Sequence, residues 1–213
     1  MGVREGTTRG AGPTIALIDV LCVCTGNVCR SPMLEVMLDA ALRARGVDAR
    51  VHSAGVWEPG HAASAHSASE VADRGLDLSG HRSRVIDTDL VERADLVLAL
   101  AREHVREVAG LVPAAFGRTF TIKELVRRGR EVGPRAEGES LADWLAAVGR
   151  GRTAATYLRA DPDDDVADPI GGPRSQYART AVELESLALA LASLLDPPAL
   201  ESLSLDFGSA HPS

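Results

Sequence analysis

The stretch that most restricts this chain is Cys24-Thr25-Gly26-Asn27-Val28-Cys29-Arg30-Ser31, set between an apolar run ending at Val23 and a helix-like segment opening at Pro32. Residues 18–23 read as a buried strand, and Met33, Val36, Met37, Ala40 and Ala44 then recur at helical spacing as far as Gly46. A loop this short between strand and helix can turn successive backbone N–H groups inward, while the helix aims its free N–H groups and dipole at the same point. The arrangement is a cradle for a tetrahedral anion. Gly26 permits the turn, Asn27 tolerates a left-handed backbone, and Ser31-Pro32 reads as a helix cap and first turn.

The rest of the chain alternates in the same way. Residues 47–53 read as a second short strand, 67–74 as a helix, 95–100 as a continuous apolar strand and 102–108 as a helix. Residues 116–120 follow as a fourth strand, 121–128 as a helix, 129–140 as an exposed loop and 141–148 as a short helix carrying Trp144. A long helix over 175–195 closes the pattern, with Tyr177, Ala181, Leu184, Ala188 and Leu195 on one apolar face. Strands alternating with helices imply right-handed crossovers. The expected fold is α/β: a single domain with a central twisted four-stranded parallel sheet, helices on both faces and the anion loop at the carboxyl end of its first strand. The domain should span 14–196, between a flexible tail at 1–13 and a second tail at 197–213 that opens with Pro197-Pro198.

Composition narrows the functional classes. The 213 residues are 45% hydrophobic, enough for one sizeable core, and the net charge of -7 argues against a nucleic-acid binder. One arginine and backbone dipoles suffice for a local cationic pocket. With three cysteines, two of them inside the loop, the chain suits a reducing compartment better than a disulfide framework, and no apolar run reaches membrane-span length. A cytoplasmic protein with no membrane association is expected. Scattered histidines without carboxylate partners argue against a zinc site.

The loop also contains a nucleophile. Inward amide dipoles, the helix N-terminus and Arg30 all favour the thiolate of Cys24. The planar fork of Arg30 can hold two oxygens of a phosphoryl group and neutralise charge that develops on them, a bidentate pairing a lysine could not make. Ser31 could donate towards the Cys24 sulfur as it leaves. The run C-T-G-N-V-C-R-S resembles the phosphate-binding loop of the low-molecular-weight protein tyrosine phosphatases, matching at Asn27, Cys29 and Ser31 as well as at Cys24 and Arg30.

That resemblance implies a cysteine-dependent phosphomonoester hydrolase with no metal or other cofactor. Cys24 would attack phosphorus while Thr25, Gly26, Asn27, Val28, Cys29, Arg30 and Ser31 hold the phosphate. Ser53, in His52-Ser53-Ala54-Gly55, would brace Asn27. Val-Ala-Asp-Pro-Ile-Gly-Gly-Pro resembles the family's acid loop, which makes Asp168 the general acid and then the base that activates water. Asp163, Asp164 and Asp165 would favour its protonated form by charge, Asp163 and Asp164 being solvated. Arg127, Arg128, Arg130 and Arg135 read as a solvated charged face, and residues 128–160 as longer than the family's usual connection.

Many relatives have an aromatic residue just after Asp-Pro, where this chain has Ile170 and Gly171, so Trp57 on the facing loop is the expected stacking wall. The expected substrates are a phosphotyrosine-containing protein or a small aryl phosphate. Rival readings are an arsenate reductase drawing on an external thiol, a non-catalytic phosphate-binding module, and a phosphatase for small-molecule phosphate esters. With no cysteine after Cys29, a thioredoxin-coupled reductase is excluded. Cys24 and Cys29 could pair as a protective disulfide once Cys24 is oxidised.

Overall fold

The computed structural model describes residues 17–196, so the tails expected at 1–13 and 197–213 lie outside the described residues. The chain runs β1 (Ile18–Cys24), α1 (Arg30–Ala44), β2 (Ala49–Gly55), α2 (Ala65–Ala72), α3 (Thr88–Arg93), β3 (Leu96–Ala99) and α4 (Arg102–Leu111). A 3-10 turn, Pro113–Arg118, leads to β4 (Thr119–Thr121), α5 (Ile122–Val132) and α6 (Leu141–Val148); a second such turn, Ala154–Tyr157, precedes α7 (Arg174–Leu195). All strand pairs are parallel and the sheet order is β2-β1-β3-β4. This is the single α/β domain that the alternation implies.

Period-two alternation in β1 explains why both faces are covered. Val20, Cys22 and Cys24 point into one apolar layer with Met33 and Leu34 of α1, Leu125 of α5 and Leu184 of α7. Leu21 and Val23 point the other way, against Leu90 and Val91 of α3 and Val108 of α4. A strand buried on both sides has no polar face to show, which is why it reads as an unbroken apolar run. Because β1 is followed on one side by β2 and on the other by β3, their carboxyl ends flank the point where the chain reverses its direction across the sheet, and a crevice opens there.

The structure corrects three expectations. The fourth strand is shorter than residues 116–120 suggested: Pro113–Arg118 forms a 3-10 turn, closed by a 2.8 Å bond from the Thr119 hydroxyl to the Ala115 carbonyl, and only Thr119–Thr121 pairs with β3. Gly129 does not open a loop. It lies buried inside α5, where an added Cβ would stand 2.9 Å from Leu194 and 3.1 Å from Trp144, so it serves a close helix crossing rather than a break. The helix ends instead at Gly133, whose φ is 100°.

Nor do the arginines following Glu124 form a simple solvated face. Arg127 pairs with Asp164 at 2.9 Å, Arg128 donates to the Val148 carbonyl at 3.3 Å and Arg135 to the Leu195 carbonyl at 3.0 Å. The segment beyond α5 is tied down from inside as well. Buried Arg152 lies 3.7 Å over the Phe120 ring and donates to Glu124 at 3.1 Å, and the Tyr157 hydroxyl donates to the same carboxylate at 2.7 Å.

Candidate active site

Cys24 is the last residue of β1, and its sulfur lies 2.9 Å from the Ser31 hydroxyl on the first turn of α1. Asn27 fixes the loop between them. Its φ of 50° makes it the one non-glycine residue with a left-handed backbone among the described residues. Its side-chain N–H groups donate to Ser31 Oγ at 3.0 Å and Ser53 Oγ at 2.7 Å, while its side-chain oxygen accepts from the Arg84 N–H at 3.0 Å. The backbone oxygen of Asn27 accepts from His81 Nε2 at 2.7 Å, and the Ser53 hydroxyl in turn donates to the Glu35 carboxylate at 2.5 Å. With Ser31 Oγ already accepting from Asn27, its proton has two acceptors in reach, the Cys24 sulfur at 2.9 Å and the more distant Ala54 carbonyl at 3.4 Å. Ser31 is therefore not the helix cap that its place before Pro32 suggested: α1 begins at Arg30, Cys29 holds the cap position without a side-chain bond, and the serine hydroxyl faces the thiol.

The backbone N–H groups of residues 26–29 find no backbone acceptor among the turn and loop hydrogen bonds of the described residues, as a cradle awaiting an anion requires. The Thr25 carbonyl accepts from the Val56 and Trp57 N–H groups at 2.8 and 3.1 Å, so the end of β2 clamps the loop from outside. Burial pushes the thiols of Cys22 and Cys29 up from their ordinary value, which keeps both protonated; Cys29 donates to Tyr177 Oη at 3.9 Å.

Arg30 is buried at the cradle's rim. One terminal nitrogen donates to the Val166 carbonyl at 3.1 Å, the other to the Thr25 hydroxyl at 3.2 Å and to Asp168 at 2.6 Å, and Nε has no partner. Asp168 is thus brought to the loop across 138 residues, with its second oxygen accepting from the Ile170 N–H at 3.1 Å. The carboxylates before it act differently from the sequence expectation. Asp164 is 2% exposed and takes Arg102 at 2.6 Å and Arg127 at 2.9 Å; burial alone would raise its carboxyl, but these two guanidinium groups hold it below the usual range. Asp165 accepts from the first N–H of α4 at 2.7 Å. Both anchor the acid loop rather than crowd Asp168 with charge.

The thiol, the guanidinium and Asp168 line one cleft of about 940 Å³, together with Thr25, Gly26, Val28, Cys29, Val56, Trp57, Glu58, Pro59, Val85 and Ile170. Trp57 is 68% exposed and Ile170 57%, so the rim on both sides is apolar and open. His104 is a neighbour that sequence reasoning missed. It lies at the start of α4, 1% exposed, with Nε2 3.0 Å from the Thr25 hydroxyl. Burial and the nearby charges of Arg30 and Arg106 push it down to about 3, so the ring is neutral. Its position just beyond β3, beside the β1 end at the reversal point, was the available signal.

A parallel sheet with a thiol at the carboxyl end of a central strand, an amide-lined loop, an arginine at the rim and an incoming aspartate defines a cysteine-based phosphatase. The family model for low molecular weight phosphotyrosine protein phosphatases matches residues 19–133, and the chain belongs to that family. It is 30% identical over 179 residues to the protein-arginine-phosphatase of Bacillus subtilis, covering 84% of this chain and 97% of that one. A probable low molecular weight protein-tyrosine-phosphatase of Ralstonia solanacearum is 35% identical over 133 residues, 62% of this chain and 89% of the relative. Among solved structures, the low molecular weight protein tyrosine phosphatase from T. tengcongensis superposes with a TM-score of 0.63 at 33% identity, covering 84% of this chain and 99% of that one. These relatives are phosphatases by name, and the arsenate-reductase alternative is not favoured.

Proposed function

We propose that this phosphatase hydrolyses phosphotyrosine in proteins, without a metal, through a thiophosphate on Cys24. The observation that supports this reading is the meeting of Cys24, Arg30 and Asp168 in one cleft whose remaining walls are mostly apolar, with an exposed Trp57 able to stack on a ring. An arriving phosphate dianion competes with Asp168 for Arg30 and offers acceptors to the unpartnered Nε and the loop amides. The Cys24 thiolate attacks phosphorus in line, the P–O bond to the phenol breaks, and the released Asp168, protonated, gives its proton to the leaving oxygen. In the second step Asp168 takes a proton from water, which attacks phosphorus and expels the thiolate. The Ser31 hydroxyl stabilises that sulfur by donating a hydrogen bond to it. Positive charge comes from Arg30 and backbone dipoles, so this chemistry asks nothing of a metal.

A second reading follows from Glu58. With Asp168 it puts two carboxylates on the cleft, a setting that would also suit the cationic side chain of phosphoarginine, and the relative spanning nearly the same length is named for that substrate. Hydrolysis of p-nitrophenyl phosphate in EDTA, beside phosphotyrosine, phosphoserine and phosphoarginine peptides, separates these cases. The expected result is turnover of the aryl phosphate and of the phosphotyrosine peptide, abolished in Cys24→Ser. Preference for the phosphoarginine peptide would move the assignment to the second reading, and inertness of the wild type towards all four would remove both.

A further inference from the structure

His104 is buried beneath the cleft, and the shorter of its two side-chain polar contacts is to the loop. Its Nε2 lies 3.0 Å from the Thr25 hydroxyl, which in turn accepts from the guanidinium of Arg30 at 3.2 Å; its Nδ1 is buried with no partner. The carboxylate of Glu103 stands 3.5 Å from the same Nε2, so two oxygens face that nitrogen. Moving the proton to Nδ1 would bury an N–H with nothing to accept it and, even with the Thr25 hydroxyl donating to Nε2, would turn the bare lone pair of Nε2 towards the Glu103 carboxylate. The neutral ring therefore has its proton on Nε2 and gives it to Thr25, the shorter of the two contacts.

This assignment settles the bonding of Thr25. Its oxygen accepts from His104 and from Arg30, which fills both lone pairs and leaves its own proton free to turn into the cleft that Thr25 lines. We propose that His104 is a positioning residue: through Thr25 it holds Arg30 at the angle that leaves Nε open to the oxyanion, and orients the Thr25 hydroxyl as a further donor to that anion. The inference rests on Arg30 binding phosphate, as in the proposed function, and is independent of which phosphoryl side chain is the substrate.

A double-mutant cycle tests it with p-nitrophenyl phosphate as substrate and vanadate as the oxyanion. His104→Phe should weaken vanadate binding and lower kcat/KM by roughly tenfold or more, the cost of one hydrogen bond serving a charged group. Thr25→Val should cost a similar factor, and the double variant no more than Thr25→Val alone, because His104 acts only through that hydroxyl. His104→Gln, which retains an N–H near the Nε2 position, should recover most of the vanadate affinity, and Glu103→Gln should stay within about twofold of wild type. If His104→Phe fails to fold, His104→Asn, whose amide stops short of Thr25, takes its place in the cycle.

Losses that multiply in the double variant overturn the proposal, as does a lowered melting temperature with vanadate affinity unchanged. An inert wild type would instead overturn the proposed function itself, so the two failures are distinguishable.

Discussion

Asn27 sits in a backbone region that costs an ordinary residue roughly 1 kcal/mol, and it stays there because its side chain bonds Ser31, Ser53 and the Arg84 N–H. Strain and bonding can be separated at this one position. Asn27→Gly loses the side-chain bonds but accepts the left-handed φ, whereas Asn27→Ala loses the bonds and keeps the strain. Urea denaturation should therefore find both variants less stable than wild type, with Ala below Gly by about 1 kcal/mol. Equal stabilities would mean that the loop relaxes once the asparagine is gone. His104 provides a second test, on pH. Held at about 3 in the folded protein against an ordinary 6.5, it contributes stability that is complete above 6.5 and declines as pH falls, because the unfolded chain binds a proton the folded one refuses. At pH 5 the loss is about 2 kcal/mol. His52, lowered mainly by burial, adds in the same direction, so the measurement is the difference between wild type and His104→Gln, which should be the less pH-sensitive of the two.

Elements meet at the loop with no room to spare. Gly55, the last residue of β2, faces it so closely that an added Cβ would stand 2.7 Å from the Thr25 oxygen and 2.8 Å from the Asn27 nitrogen. Backbone cannot yield there as a flexible side chain would. Gly55→Ala should displace the loop by a fraction of an ångström and lower kcat/KM by roughly tenfold or more, short of the hundredfold expected when reacting groups are misplaced by about 1 Å; steady-state kinetics beside a melting curve would check it. Such contacts also mark where sequence reading stops. The loop was legible because its chemistry is contiguous: thiol, turn residues and arginine fall within eight positions, between an apolar strand and a periodic helix. Asp164 reads as solvated in the sequence because its partners, Arg102 and Arg127, stand 62 and 37 residues away, and a run of aspartates looks the same whether it faces water or guanidinium. Gly129 reads as a breaker because a glycine needed for close helix packing and one needed for a turn are the same letter. His104 gives a sign only through its place just beyond β3. A lone histidine on a helix acquires meaning only when the sheet order places β3 beside β1.

At the scale of the whole molecule, the two halves of the site come from distant parts of the chain, and the later half is held by ion pairs and hydrogen bonds without contributing a strand to the sheet. Arg102 of α4 and Arg127 of α5 converge on Asp164, Lys123 donates to the Pro162 carbonyl at 2.9 Å, and the Val166 N–H joins the Leu100 carbonyl at 2.8 Å. Four positions on from Asp164, Asp168 reaches Arg30. Asp164→Asn leaves the part-buried Arg102 with Asp161, 3.0 Å away, as its remaining carboxylate, which should cost up to about 3 kcal/mol of stability. It should also loosen the loop that presents Asp168, the proposed acid. The consequence depends on the leaving group: p-nitrophenolate departs with little help, while the tyrosyl oxygen needs a proton, and general acid catalysis is worth roughly a hundredfold or more where it is needed. The variant should therefore lose phosphotyrosine hydrolysis by roughly tenfold more than p-nitrophenyl phosphate hydrolysis, part of the acid's full contribution. Asp168→Asn sets the upper limit of that ratio. If Asp164→Asn lowers both substrates equally, the buried cluster stabilises the fold without placing the acid, and α4 and α5 serve the cleft only as walls.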